Sequence, residues 1–136
     1  SSEKTSLVEV PPVGNERILF VDDETALVEM GKQMLERLGY KVTAKTSSIE
    51  ALKTFQAHPE KFDLVMTDQT MPNMTGDKLA KQISAIRPGI PIVLCSGFGE
   101  LFDERNAKGV GIQAFVMKPL VMLDLAKVIR KVLDDK

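Results

Sequence analysis

Three carboxylates, a hydroxyl and an ammonium stand at the ends of four apolar runs in this chain, and together they suit one kind of chemistry. The pair Asp22-Asp23 closes Ile18-Leu19-Phe20-Val21, and Asp68 closes Leu64-Val65-Met66-Thr67. Ser96 follows Ile92-Val93-Leu94-Cys95, and Lys118 follows Ala114-Phe115-Val116-Met117. If the runs are parallel strands, these groups converge beyond the carboxyl ends of a sheet, where open α/β sheets place their ligands. Two carboxylates about 4 Å apart repel by roughly 4 kcal/mol at an effective dielectric of 20. Three of them need a cation, or must give up charge by shifting pKa. Hard oxygen donors of this kind suit magnesium or manganese, with phosphate oxygens completing the shell. Asp68 could then accept a phosphoryl group as an acyl phosphate. Lys118 would meet the phosphoryl oxygens as a point charge and Ser96 as a hydroxyl donor. Taken singly, each residue has a plainer role: aspartates and a serine capping the helices after the strands, and a surface lysine. Their matching places at four strand ends favour the joint reading.

Elements to position these groups are visible in the patterning. Arg17–Val21 reads as a first strand. Residues 25–38 read as a helix with Leu27, Met34, Leu35 and Leu38 on one face and Gly39 as its stop signal. Residues 40–45 form a short alternating strand, after which Ser48 caps a helix that turns Ile49, Leu52 and Phe55 inward and ends before Pro59. Residues 63–67 are the central strand, and 69–76 a loop punctuated by Pro72 and Gly76. A helix with Leu79, Ile83 and Ile86 stops at Pro88-Gly89, and residues 91–95 form the next strand. Residues 100–108 read as a helix bounded by glycines, and 113–117 as the last strand. Pro119 opens the final helix, whose Leu125, Val128, Ile129, Val132 and Leu133 repeat at helical spacing. Strand–helix alternation repeated five times predicts a doubly wound α/β fold, a parallel sheet with helices on both faces. Right-handed crossovers leave few topologies, and the flavodoxin-like order 2-1-3-4-5 is expected.

Bulk properties narrow the class. With 136 residues, 43% hydrophobic and 27% charged, the sequence fits one domain with a single core. A net charge of −1 argues against direct nucleic-acid binding, and no apolar stretch is long enough to span a membrane. The lone cysteine, Cys95, lies within an apolar run, which points to core filling and a reducing, cytoplasmic setting. Residues 1–15, polar and carrying Pro11-Pro12 and Gly14, read as a linker or tag remnant ahead of a domain at 16–136. An opening Ser1-Ser2 instead of Met suggests a piece of a longer chain. The single histidine, His58, at a helix end before Pro59, reads as solvated.

The ordered motifs Val21-Asp22-Asp23-Glu24, Asp68-Gln69-Thr70-Met71-Pro72-Asn73-Met74-Thr75-Gly76, Cys95-Ser96-Gly97 and Lys118-Pro119 resemble the receiver domain of two-component response regulators. The resemblance covers nearly everything from Glu16 onward. It implies that Asp68 takes a phosphoryl group from a phosphohistidine, with magnesium or manganese in the acidic pocket. Asp23 is then a direct metal ligand, Asp22 acts mainly through bound water, and Thr70 contributes its backbone carbonyl. Lys118 and Ser96 hold the phosphoryl oxygens. Phe115, three positions before the lysine, takes the place of the switch aromatic that turns inward behind Ser96; an ordinary core aromatic is the equal alternative. Phe115 lacks the hydroxyl of the tyrosine often found there, which favours a buried rotamer even without phosphate. Ser96 stands where threonine is commoner and keeps the hydroxyl.

A chain whose one histidine is His58 cannot be its own donor, so the resemblance implies a histidine kinase or histidine phosphotransfer domain as partner. A monomer or weak dimer is expected, with no membrane contact by this domain. Pro11-Pro12, Gly14 and the run from Glu16 to Glu24 resemble the join between a kinase catalytic domain and the C-terminal receiver of a hybrid sensor histidine kinase. Asp68-Gln69-Thr70-Met71-Pro72 and Cys95-Ser96-Gly97-Phe98 also look like that variety, with a free-standing or truncated response regulator as the alternative. Two other classes share the strand order. A flavin-binding module would need its phosphate where Asp22, Asp23 and Glu24 repel it. An aspartate-nucleophile phosphatase could use Asp22 and Glu24, but would leave Asp68 and Ser96 less simply explained.

Overall fold

The three central strands are short runs of large apolar residues because they are covered on both faces. The computed structural model describes residues 9–97 and 109–135. Strands β1 (Arg17–Val21), β2 (Lys41–Lys45), β3 (Leu64–Asp68), β4 (Ile92–Ser96) and β5 (Ala114–Met117) pair in parallel in the expected order β2-β1-β3-β4-β5. Among the described residues the helices are α1 (Thr25–Arg37), α2 (Ser48–Ala57), α3 (Gly76–Ile86) and α4 (Met122–Asp134), with a single 3-10 turn at Pro59–Lys61. The helix expected over residues 100–108 lies outside the described residues. Among those described, no helix is long and apolar enough to cross a membrane.

Alternation along the strands divides the core into two layers. Ile18 and Phe20 of β1, Leu64 and Met66 of β3, and Val93 and Cys95 of β4 pack with Val28 and Leu35 of α1 and with Leu125, Ile129 and Val132 of α4. Their neighbours Leu19, Val21, Val65, Ile92 and Leu94 point the other way, onto Ala51 and Phe55 of α2 and Leu79 and Ile83 of α3. A slip of one residue in any strand would exchange the two layers, so the register is strongly specified. That register also decides which residues stand at the carboxyl edge.

Three local expectations are corrected. Ser47, not Ser48, caps α2: its backbone is extended and its hydroxyl accepts the Glu50 N–H at 3.3 Å, the start of an S-x-x-E capping box. Ile49 is 37% exposed, and the inward face of α2 is Ser48, Ala51 and Phe55, with Leu52 at its edge. Six residues before Phe55 is about 120° round the helix, so Ile49 falls on the solvent side. The last helix begins at Met122, not Pro119. Val121 is extended, and Leu120 packs against the core before the helix starts. On α1 the buried stripe runs through Val28, Gly31 and Leu35, while Leu27 and Met34 flank it half-buried.

Residues 13–16, just ahead of β1, are seated on the domain. The Gly14 N–H donates to the Leu38 carbonyl at 3.0 Å, closing against the end of α1. Arg130 of α4 donates to both Glu16 carboxylate oxygens at 3.1 and 2.6 Å, to Asp134 Oδ1 at 2.8 Å and to the Val13 carbonyl at 3.3 Å. The hydrogen bonds from Arg130 hold the Glu16 carboxyl below its usual pKa, against the smaller upward push of burial.

Two outcomes are expected. Gly39 and Gly89 both have positive φ (100° and 87°), but only at Gly39 would a Cβ strike another group, the Gly14 carbonyl oxygen at 2.2 Å. Gly89→Ala should therefore cost about 1–2 kcal/mol, and Gly39→Ala clearly more, by urea denaturation; equal losses would show that the Gly14 contact does not constrain the turn. Because Glu16 has a depressed folded pKa, its contribution is present above its unfolded pKa of about 4.3 and is lost as pH falls through the folded value. Glu16→Gln should thus be less stable than wild type at pH 7, with the deficit closing as the pH drops below about 4. A deficit independent of pH would rule out the charge on Glu16 as its source.

Candidate functional site

The strand register brings the expected groups to one edge. Asp22 directly follows β1, Asp68 is the last residue of β3, Ser96 the last of β4, and Lys118 directly follows β5. The ladder continues past its formal end on both sides of the site. The Lys118 N–H donates to the Ser96 carbonyl at 2.9 Å and the Gln69 N–H to the Cys95 carbonyl at 2.9 Å, while the Asp22 N–H reaches the Lys45 carbonyl at 3.2 Å. Backbone pairing therefore sets where these side chains start.

At the centre lies the Lys118 ammonium, 3.0 Å from Asp22 Oδ2 and 3.0 Å from Asp68 Oδ1. Asp22 and Asp68 are 1% and 4% exposed. The other Asp22 oxygen, Oδ1, accepts the Glu24 N–H at 3.0 Å. Burial alone would depress the pKa of Lys118, but hydrogen bonds to Asp22 and Asp68 and their charges more than reverse this, so it is raised. Beneath the pair, burial and then the Asp68 charge push the Cys95 thiol up to about 12, which makes it an inert part of the core.

Asp23 is exposed at the mouth, and Asp22, Asp23 and Asp68 can each offer an oxygen within 4.8 Å of the others. One ammonium against three carboxylates leaves an excess of negative charge, and all the donors are hard oxygens. Such a set fits a small divalent cation. Thr70 is exposed in the loop two residues beyond β3. Phe115 is half-buried on β5, opposite Leu94 in register, and packs against the layer that includes Leu19 and Val21. The Lys118–Pro119 peptide is cis. A cleft of about 310 Å³ opens beside the ammonium, lined by Asp22, Leu27, Gly97, Lys118, Pro119 and Leu120.

Sequence reasoning missed a polar knot behind the site. The Gln69 side chain accepts the Asp77 N–H at 2.9 Å and donates to Asp77 Oδ1 at 3.1 Å. Asp77 Oδ1 also accepts the Thr75 hydroxyl and, at 3.0 Å, the Lys78 N–H. Burial pushes the Asp77 pKa up, but these hydrogen bonds outweigh it and hold the carboxyl below its usual range. The signal available in the sequence was Thr75-Gly76-Asp77 at a helix start; the partner eight residues earlier had none. Gly76 belongs to the same knot by close approach, since a Cβ there would lie 2.2 Å from the Asp68 carbonyl oxygen.

Comparison with known proteins agrees with the fold and its strand order. The family model of the response regulator receiver domain matches residues 18–130. A crystal structure of a response regulator receiver domain protein from Clostridium thermocellum superposes with a TM-score of 0.83 at 29% identity, covering 88% of this chain and 95% of that one. A CheY-like receiver domain protein from Methanospirillum hungatei JF-1 gives 0.80 at 33% identity, covering 90% and 96%. Among longer proteins, the sensor kinase CckA of Brucella abortus (strain 2308) is 30% identical over 121 residues, which is 89% of this chain but 13% of that kinase's length.

Lys118→Met should leave two buried carboxylates without their counter-charge. In metal-free buffer it is expected to cost about 3 kcal/mol, the loss typical of breaking a buried pair. Asp23→Asn, at the exposed rim, should change stability by less than about 0.5 kcal/mol. Urea denaturation of both variants checks this, and a loss at Lys118 no larger than at Asp23 would contradict the buried pairing.

Proposed function

The chain belongs to the response regulator receiver domain family, and from that premise we propose that it takes a phosphoryl group from a partner phosphohistidine onto Asp68. The observation that carries the assignment is the Lys118 ammonium held 3.0 Å from a carboxylate oxygen of Asp68 at the edge of the sheet. A carboxylate oxygen of Asp68 attacks phosphorus, the P–N bond to the donor imidazole breaks, and the imidazole leaves with the bonding pair. The product is an acyl phosphate. Lys118 then exchanges its contact with the carboxylate for one with a phosphoryl oxygen, and the Ser96 hydroxyl donates to another. Asp22, Asp23, Asp68 and the Thr70 carbonyl would hold magnesium or manganese, which when bound neutralises charge on the incoming phosphoryl oxygens. Movement of Ser96 toward the phosphoryl group leaves room behind it for Phe115, so that the surface around β5 and α4 changes.

The donor is a histidine kinase or histidine phosphotransfer domain. His58, the one histidine in the sequence, is exposed at the end of α2 beside Arg17, where β1 begins. Asp68 stands at the other end of the sheet, so at least the length of a five-residue strand, roughly 13 Å, separates them. Likeness to a sensor kinase supports reading this receiver as part of a hybrid sensor histidine kinase working in the cytoplasm, where Cys95 stays a thiol.

Intact-protein mass spectrometry after incubation with acetyl phosphate, with and without magnesium, tests the assignment. Wild type should gain one phosphoryl group in a magnesium-dependent manner, and Asp68→Asn, nearly isosteric but a poor nucleophile, should gain none. Uptake by Asp68→Asn at the wild-type rate would overturn it.

A further inference from the structure

The knot behind the site does more than begin a helix. Gln69 lies between Asp68 and Thr70, and all of its polar groups are engaged. Its N–H is in the β4 ladder, and its carbonyl accepts the Gly76 N–H at 2.9 Å. Its side-chain amide grips Asp77 in both directions, at 2.9 and 3.1 Å. The first N–H groups of a helix have no intrahelical partners. In α3 those of Gly76 and Asp77 are both taken by Gln69, and that of Lys78 by Asp77 Oδ1. Thr75, in the capping position, supplies no side-chain cap to the backbone. A loop residue that immediately follows Asp68 thus does the capping, and residues 70–75 form a loop tied at its base.

The geometry points to Gln69 and Asp77 as positioning residues for the phosphoryl-transfer site, an inference that rests on the function proposed above. Fixing both peptide groups and the side chain of Gln69 restricts the backbone on either side of it. On one side is the Asp68 carboxylate; on the other is the Thr70 carbonyl. Two oxygens expected to share one small cation, which demands near-ideal octahedral geometry, are thereby set relative to each other by a clamp that touches neither the cation nor the phosphoryl group. Gly76, whose Cα lies against the Asp68 carbonyl, keeps α3 close enough for the clamp to reach. Groups that orient ligands in this way typically affect metal affinity by 10–100-fold.

A capping role alone predicts lost stability and nothing else, so the test separates the two. Magnesium affinity by isothermal titration calorimetry, melting temperature and acetyl-phosphate uptake by mass spectrometry would be measured on wild type, Gln69→Met, Asp77→Ala and Asp77→Asn. Ser47→Ala, which removes the side-chain cap of α2, serves as a remote control. Gln69→Met and Asp77→Ala should weaken magnesium binding about tenfold and slow uptake at subsaturating magnesium, with the rate recovering at saturation. Asp77→Asn keeps an acceptor for Gln69 and Lys78 and should recover most of the affinity. Ser47→Ala should lower the melting temperature with magnesium affinity unchanged. If Gln69→Met and Asp77→Ala melt earlier yet bind magnesium as wild type does, the clamp is only a cap and the inference fails. If wild type itself binds no magnesium and takes up no phosphoryl group, it is the proposed function that fails.

Discussion

Two buried carboxylates sharing one ammonium are the constraint around which the carboxyl edge of this sheet is arranged. Asp22 and Asp68 come from adjacent parallel strands, and Lys118 arrives from β5, two strands further along. Burying either carboxylate beside the other without the cation would be costly, because their mutual repulsion and desolvation would go uncompensated. The pKa of the half-buried ammonium is in turn raised, against the opposing effect of burial, because both carboxylates face it. The three groups are therefore conditional on one another, and each is conditional on a strand ending at the right residue. Pairing of β3 with β4 fixes Asp68 opposite Cys95, and pairing of β4 with β5 fixes Ser96 opposite Met117, one residue before the lysine.

That dependence explains why the apolar interior matters to the chemistry. With helices on both faces, alternate strand residues are committed to opposite layers. The side chains of residues 22, 68 and 118 leave the sheet just where apolar packing ends. Displacing a strand by one residue would turn Phe20 and Leu19 to the wrong layers as well as misplacing Asp22. Hydrophobic burial, worth roughly 25 cal/mol per Å², thus secures a polar geometry that hydrogen bonds alone would leave slack.

Much of this was legible in the sequence, for physical reasons. Continuous apolar runs of four or five residues marked strands buried on both sides, and a charged or hydroxyl residue closing each run marked the edge. Boundaries failed where competing signals were local. Ser48 read as the cap, yet the S-x-x-E spacing to Glu50 belongs to its neighbour Ser47. Pro119 looked like a first helical residue, yet Leu120 is drawn into the core before α4 begins. Ile49 is apolar and still outward, because helix phase, not residue type, decides which side faces the sheet. The Gln69–Asp77 clamp was illegible for a deeper reason: amide–carboxylate contacts across a loop leave no periodic trace, and a glutamine in a polar loop looks like any other solvated residue.

Magnitudes distinguish the charges that hold the molecule together from those kept for another purpose. Arg17–Asp63 and Lys127–Glu9 are substantially exposed pairs of the kind worth at most about 1 kcal/mol each. Arg130 is a stronger tie because one planar guanidinium meets two carboxylates and a carbonyl at once, joining the chain before β1 to α4. Lys118 is different in kind. A buried ion pair is often no more stabilising than well-packed apolar residues of the same volume, and this one keeps an excess of carboxylates around a single cation. Stability alone would favour filling the edge with the same valines and leucines that line the strands below it. An arrangement that keeps Asp22, Asp23 and Asp68 within reach of one another, with the ammonium beside Asp68, is a site left under-neutralised, which under the proposed function a further cation and a phosphoryl group would complete.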